Sequence, residues 1–119
     1  MPEANVSMNV RSANIDTQVI EIHGEVTGFA EDALMDAYTQ ASNGQVNNVI
    51  INFDDLEYMN SSGIGLLVTL LIRAQRKNQQ VMAVGLNDHY QQIFQLTRLD
   101  EAITMYKTEA DALASVTAA

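Results

Sequence analysis

The sequence predicts an α/β domain with a mostly parallel central sheet of about 4–5 strands and about 4 helices. Three observations lead there. Residues 48–53 (NVIINF) and 81–85 (VMAVG) are short apolar runs of strand length, the pattern of central strands covered on both faces. Segments with apolar residues at helical spacing separate and follow these runs. Strands that alternate with helices imply parallel neighbours joined by right-handed crossovers.

Taken in order, residues 8–13 (MNVRSA) alternate weakly and read as an edge strand. Residues 17–23 (TQVIEIH) combine β-branched side chains with alternation and read as a stronger one. The Asn14-Ile15-Asp16 link between them suits a tight hairpin. Residues 24–28 (GEVTG) break the pattern. Residues 30–42 form the clearest amphipathic helix, with Ala30, Ala33, Leu34, Ala37, Tyr38 and Ala41 on one side and Glu31, Asp32 and Asp36 on the other. Asn43-Gly44 ends it. After the 48–53 strand, residues 54–60 read as a loop, and Ser61 or Ser62 caps a long helix reaching about Lys77. Asn87 caps a short helix in which Tyr90, Ile93, Phe94 and Thr97 share a face. Residues 103–106 form a brief strand. Thr108 and Asp111 then open a last helix that turns Ala110, Leu113 and Ala114 inward. The order is β-β-α-β-α-β-α-β-α, and no repeat or linker divides it, so residues 1–119 are expected to form one domain.

Composition narrows the function. The net charge is -9, carried against six cations of which only Arg73, Arg76 and Lys77 cluster. Phosphate backbones and anionic membrane surfaces repel such a chain, so neither nucleic acid nor membrane is an expected partner. The absence of cysteine excludes disulfides and thiolate metal sites. The start, MPEANVSMNVRS, has neither the basic beginning nor the apolar run of a signal peptide, and the apolar stretch 64–72 is too short to span a bilayer. A cytoplasmic location is the expectation.

The most informative segment is 57–71, EYMNSSGIGLLVTLL. A buried strand gives way to two serines and a glycine where a helix begins. Helix N-termini present free N–H groups and positive dipole charge, so a phosphate placed there is held by local donors. Gly63 permits close approach of another backbone. The competing reading is that one serine is an N-cap and Gly63 a turn residue. In the helix that follows, Ile64, Leu67, Val68 and Leu71 make one apolar face, while Leu66 and Leu70 lie on another in line with Arg73. Such a helix is either buried between sheet and neighbours or used for docking.

Other chemistries fit less well. Gly63-x-Gly65 has Val68 where a dinucleotide fingerprint needs its third glycine. No Walker lysine follows a glycine loop, and no G-x-S-x-G elbow surrounds Ser61 or Ser62. His23 and His89 lack ligand partners nearby in sequence. Asp54, Asp55 and Glu57 could bind Mg²⁺ through a carboxylate or two, but an acidic loop of this kind is more often simply solvated. A phospho-aspartate receiver built on Asp54 and Lys107 lacks the acidic pair expected after the first strand. No cofactor is expected.

The chain resembles the STAS domain, in particular the free-standing bacterial anti-sigma factor antagonists. The matching pieces are VIEIHGE at 19–25, VIINF at 49–53, YMNSSGIGLL at 58–67 and IFQLTRLD at 93–100, and the similarity covers about residues 8–116. The resemblance implies a STAS-like fold and a non-enzymatic regulator. Its unphosphorylated form would bind an anti-sigma factor that is also a serine kinase, phosphorylation would block binding, and a phosphatase would reverse it. The family's acceptor, the first serine of its Asp-Ser-Ser/Thr-Gly motif, corresponds to Ser61, with Ser62 as second choice. The implied partner surface comprises Glu25, Thr27, Asn60, Ser61, Ser62, Gly63 and Leu66. Two acidic positions of the family pattern are neutral here, Asn60 and Thr27. Those losses motivate an alternative, a STAS-type structural subunit of a signalling or transport assembly that is never phosphorylated. A third possibility is a metal-dependent enzyme using Asp54 and Asp55.

Overall fold

A computed structural model describes residues 5–117; residues 1–4 and 118–119 of the expected domain, and with them part of the segment weighed as a signal peptide, lie outside it. Its strands are β1 (Val6–Asn14), β2 (Thr17–Val26), β3 (Asn48–Met59), β4 (Gln80–Val84) and β5 (Ile103–Tyr106). Its helices are α1 (Glu31–Ala41), α2 (Ser61–Arg76), α3 (Asp88–Leu96) and α4 (Glu109–Thr117). The strands lie in the order β1-β2-β3-β4-β5, antiparallel between β1 and β2 and parallel elsewhere.

Because each parallel strand is laid beside the last, the crossover helices α1, α2 and α3 share one face of the sheet. Leu34 and Tyr38 from α1, Leu67 and Leu70 from α2, and Tyr90 and Phe94 from α3 pack there on Ile20, Ile22, Ile51 and Phe53. Among the described residues, α4 is the helix that covers the other face, through Ala112, Leu113 and Val116 over Val19, Ile50, Met82 and Val84. Polar contacts fasten this helix. Glu109 pairs with Arg11 on β1 and accepts from Asn52 Nδ2 on β3 at 2.8 Å, while Arg11 also pairs with Glu21 at 3.1 Å. Burial works to lower the pKa of Arg11, but the hydrogen bonds and charges of Glu21 and Glu109 outweigh it and raise the pKa above the ordinary value.

The structure corrects several expectations. Residues 54–59 are not a loop: β3 continues to Met59, with irregularities in its pairing to β2 after Asn52 and after Leu56. Likewise β2 does not break at Gly24 but runs to Val26. Gly24, at φ +102, stays paired with Val6 of β1, its missing Cβ making room for the carbonyl of Asn5. A 3-10 turn, Gly28–Ala30, precedes α1. Val68 does not share the inward face of α2; Leu67, Leu70, Leu71 and Ala74 are the buried positions of its later turns. Thr97 is exposed just beyond α3, and in α4 it is Ala112, not Ala110 or Ala114, that is buried. Thr108 does cap α4, its hydroxyl accepting from the Asp111 amide at 3.1 Å.

Candidate functional site

The long third strand and the helix after it position the site. Met59 ends β3 with its amide donating to the Tyr90 hydroxyl at 2.8 Å, which ties the strand end to α3. The chain then turns at Asn60 in extended conformation, φ -102 and ψ -177. Asn60, not Ser61 or Ser62, is the N-cap of α2: its Oδ1 accepts from the Gly63 amide at 2.9 Å, and its carbonyl accepts from Ile64 at 3.0 Å. Asparagine competes with serine for this role because its side-chain oxygen reaches the same donor.

Gly63 is required by close contact. A Cβ there would lie 2.1 Å from the Val26 carbonyl oxygen and 3.0 Å from Met59 Cγ. The first turn of α2 is therefore seated directly on the end of β2. Asn60 adds a backbone bond to the same carbonyl, at 3.3 Å. Beside this junction Thr27 caps the 3-10 turn, its hydroxyl accepting from the Phe29 amide at 3.3 Å, and a Cβ at Gly28 would meet Ser62 Cβ at 3.5 Å.

The consequence is that Ser61 and Ser62 are relieved of capping. Both are exposed, at the first and second positions of the helix, and neither hydroxyl has a hydrogen-bond partner among the described residues. Asn60 takes the amides of Gly63 and Ile64, leaving those of Ser61 and Ser62 for a ligand or solvent. Asn60 and Thr27 are neutral, and α2 has no acidic residue in its first turn, whereas α1, α3 and α4 each do.

Of the residues singled out in the sequence, Thr27, Asn60, Ser61, Ser62 and Gly63 are brought together. Glu25 is not: it alternates onto the sheet face that carries Val19 and His23, and pairs in register with Tyr58. Leu66 is half-buried and packs against the core at the flank of α2. The structure adds Phe29, 61% exposed beside Gly28, and Val68 and Ile72, 38% and 45% exposed on the outward side of α2. Val68 was readable as apolar, but its orientation was not, since α2 is apolar nearly all round.

The acidic run does not form a metal centre. A Cβ at Gly85 would collide with Asp54 Oδ1, so Asp54 is packed toward β4, while Asp55 turns to His23, 3.0 Å from its Nδ1. Among the described residues no group of three or more His, Cys, Asp or Glu side chains is placed to hold a metal ion. No described helix is long and apolar enough to cross a membrane.

A family model for the STAS domain matches residues 7–112 of this chain. The chain belongs to the STAS family. Among curated STAS relatives, the anti-sigma-B factor antagonist of Listeria monocytogenes is 23% identical over 109 residues, covering 90% of this chain and 94% of that protein. The anti-sigma-B factor antagonist of Staphylococcus aureus is 21% identical over 97 residues, 81% of this chain and 90% of its own length. Two solved structures share the STAS fold closely. Unphosphorylated SpoIIAA, an anti-sigma factor antagonist, superposes with a TM-score of 0.74 at 23% identity, covering 95% of this chain and all (100%) of the other. An anti-sigma factor antagonist from Mycobacterium paratuberculosis gives 0.80 at 20% identity, with 97% and 98% covered.

Proposed function

We propose that this STAS domain is a cytoplasmic anti-sigma factor antagonist whose binding to an anti-sigma factor serine kinase is switched at Ser61. The observation that carries the reading is the transfer of capping to Asn60, which leaves an exposed serine hydroxyl at the first position of a helix with two amides unclaimed. The chain supplies the acceptor and no catalytic group. The partner kinase moves the γ-phosphoryl group of ATP onto Ser61 Oγ, releasing ADP and a proton, and a phosphatase hydrolyses the ester to restore the hydroxyl and inorganic phosphate. The phosphate brings up to about two negative charges beside the neutral caps Asn60 and Thr27 and is held there by the Ser61 and Ser62 amides. Binding that depends on close packing around Thr27, Asn60, Ser62 and Gly63 is then lost to bulk and desolvation. The names of the curated relatives support the partner class. A fold neighbour solved in a phosphorylated form, SpoIIAA of Bacillus at TM-score 0.71, 23% identity and 92% and 99% coverage, supports the modification.

The test is phosphopeptide mass spectrometry on the protein isolated from its native cells under phosphatase inhibition, joined to partner binding by Ser61→Ala and Ser61→Asp. Phosphate on Ser61, with Ser61→Ala binding and Ser61→Asp not, is the expected result. Equal binding by both variants ends the switch. A constitutive STAS subunit is the second reading, favoured by the neutral Asn60 and Thr27, whose side-chain oxygens serve as caps. It expects stable co-purification with one assembly and no phosphate under any growth condition.

A further inference from the structure

The outward side of α2 carries a pattern that runs on from the switch residue to the far end of the helix. Ser61, Gly65, Val68, Ile72 and Arg76 recur at spacings of three and four along a helix of 3.6 residues per turn, so they form one ridge. All five are exposed, and they lie opposite the buried line of Gly63, Leu67, Leu70 and Ala74. A Cβ at Gly65 would meet nothing within 4 Å, so the ridge has a notch there. The helix has no carboxylate and two arginines in its last turn, Arg73 and Arg76, against a chain charge of -9. Neither arginine forms an ion pair among the described residues.

We propose that a second copy of this chain docks antiparallel on this ridge when Ser61 carries a phosphate. The inference rests on the reading of Ser61 as the modified residue. A two-fold interface must be self-complementary, with residue i meeting residue j on both sides. A two-fold axis passing between Val68 and Thr69 sets Ile72 of each copy over the Gly65 notch of the other, and Val68 over Thr69. The same axis sets Ser61 opposite Arg76, each about 11 Å from the centre at 1.5 Å rise per residue. The ridge thus matches a bulky residue to a bare one and the phosphate acceptor to an arginine.

Charge makes the contact conditional. Without the modification, each ridge offers arginine to the positive N-terminal end of its partner, with no anion there to receive it. A phosphate on Ser61 supplies the missing anion at both ends, and arginine recognises phosphate by paired hydrogen bonds. Modification would then do two things at one surface: dismiss the kinase partner and let two modified chains cover the exposed Val68 and Ile72.

The experiment is sedimentation equilibrium on the chain carrying phosphoserine at position 61 by genetic encoding, so that no kinase is needed. The expected result is a monomer for the unmodified chain at about 100 µM and a dimer for the phosphoserine form, a tightening of at least about tenfold. In the phosphoserine background, Arg76→Glu and, separately, Val68→Asp restore the monomer, while Arg76→Lys retains part of the association. A phosphoserine chain that stays monomeric overturns the proposal and leaves the ridge to a different protein. Dimerisation that ignores modification, or that survives Arg76→Glu, overturns it as well. None of these outcomes bears on whether Ser61 is phosphorylated in cells, which the mass spectrometry above decides separately.

Discussion

The Gly63 amide donates to Oδ1 of Asn60 at 2.9 Å, and this one bond decides which residues at the head of α2 are structural and which are free. Removing it by Asn60→Ala leaves an uncapped helix start. We expect a loss of about 1 kcal/mol in stability, read from urea unfolding. Asn60→Asp keeps the acceptor and should unfold within a few tenths of a kcal/mol of the parent. If Asn60→Ala is as stable as the parent, a serine has taken over as cap and Ser61 is not free.

Gly63→Ala separates packing from helix propensity. Inside a helix alanine is favoured over glycine by about 1 kcal/mol. Here the added methyl would lie 2.1 Å from the Val26 carbonyl oxygen, a contact only backbone movement can relieve. The variant should therefore be destabilised, by about 2 kcal/mol or more, and should shift amide resonances at Val26 and Ser62. A stabilised Gly63→Ala would show that α2 is not pinned to β2.

Tyr90→Phe removes one oxygen and leaves the buried Met59 amide without its acceptor, now at 2.8 Å. The expected cost is about 1–3 kcal/mol, the price of an orphaned buried donor. Faster hydrogen exchange at Met59, ahead of the rest of β3, is the signature that distinguishes this from a general loss of packing.

The Glu109 carboxylate joins α4 to both β1 and β3, and its contacts with Arg11 and Asn52 are only partly buried. Solvent screening keeps such a pair modest. Glu109→Gln should cost no more than about 1 kcal/mol, and less in high salt. Its effect should be local, as fraying of α4 in hydrogen exchange with α1, α2 and α3 unaffected. Global unfolding at unchanged protection of α4 would contradict the placement.

The parallel core was legible because burial on both faces leaves a mostly apolar run, as in residues 48–53 and 81–85. The extension of β3 through Asp54, Asp55 and Glu57 was not. Its pairing with β2 is irregular twice, which destroys alternation, and its exposed acidic side chains look like those of a loop. The cap of α2 was misread for a related reason. Asn60, Ser61 and Ser62 all favour the capping position, and only the contact of Gly63 with Val26 chooses among them. The serines themselves, the neutral Asn60 and the tight Gly63 were visible as a cluster. The separation of Glu25 from that cluster needed the face assignment of β2, which depends on the pairing with β1.

Seating Gly63 against Val26 without clearance makes the head of α2 a stiff mount. A group attached to Ser61 has no slack beneath it through which to push. The modification proposed for Ser61 would therefore be displayed at the surface as charge and volume, and a phosphoserine chain should share one backbone with the unmodified one. A message of this kind is read by touch and not by a change of posture.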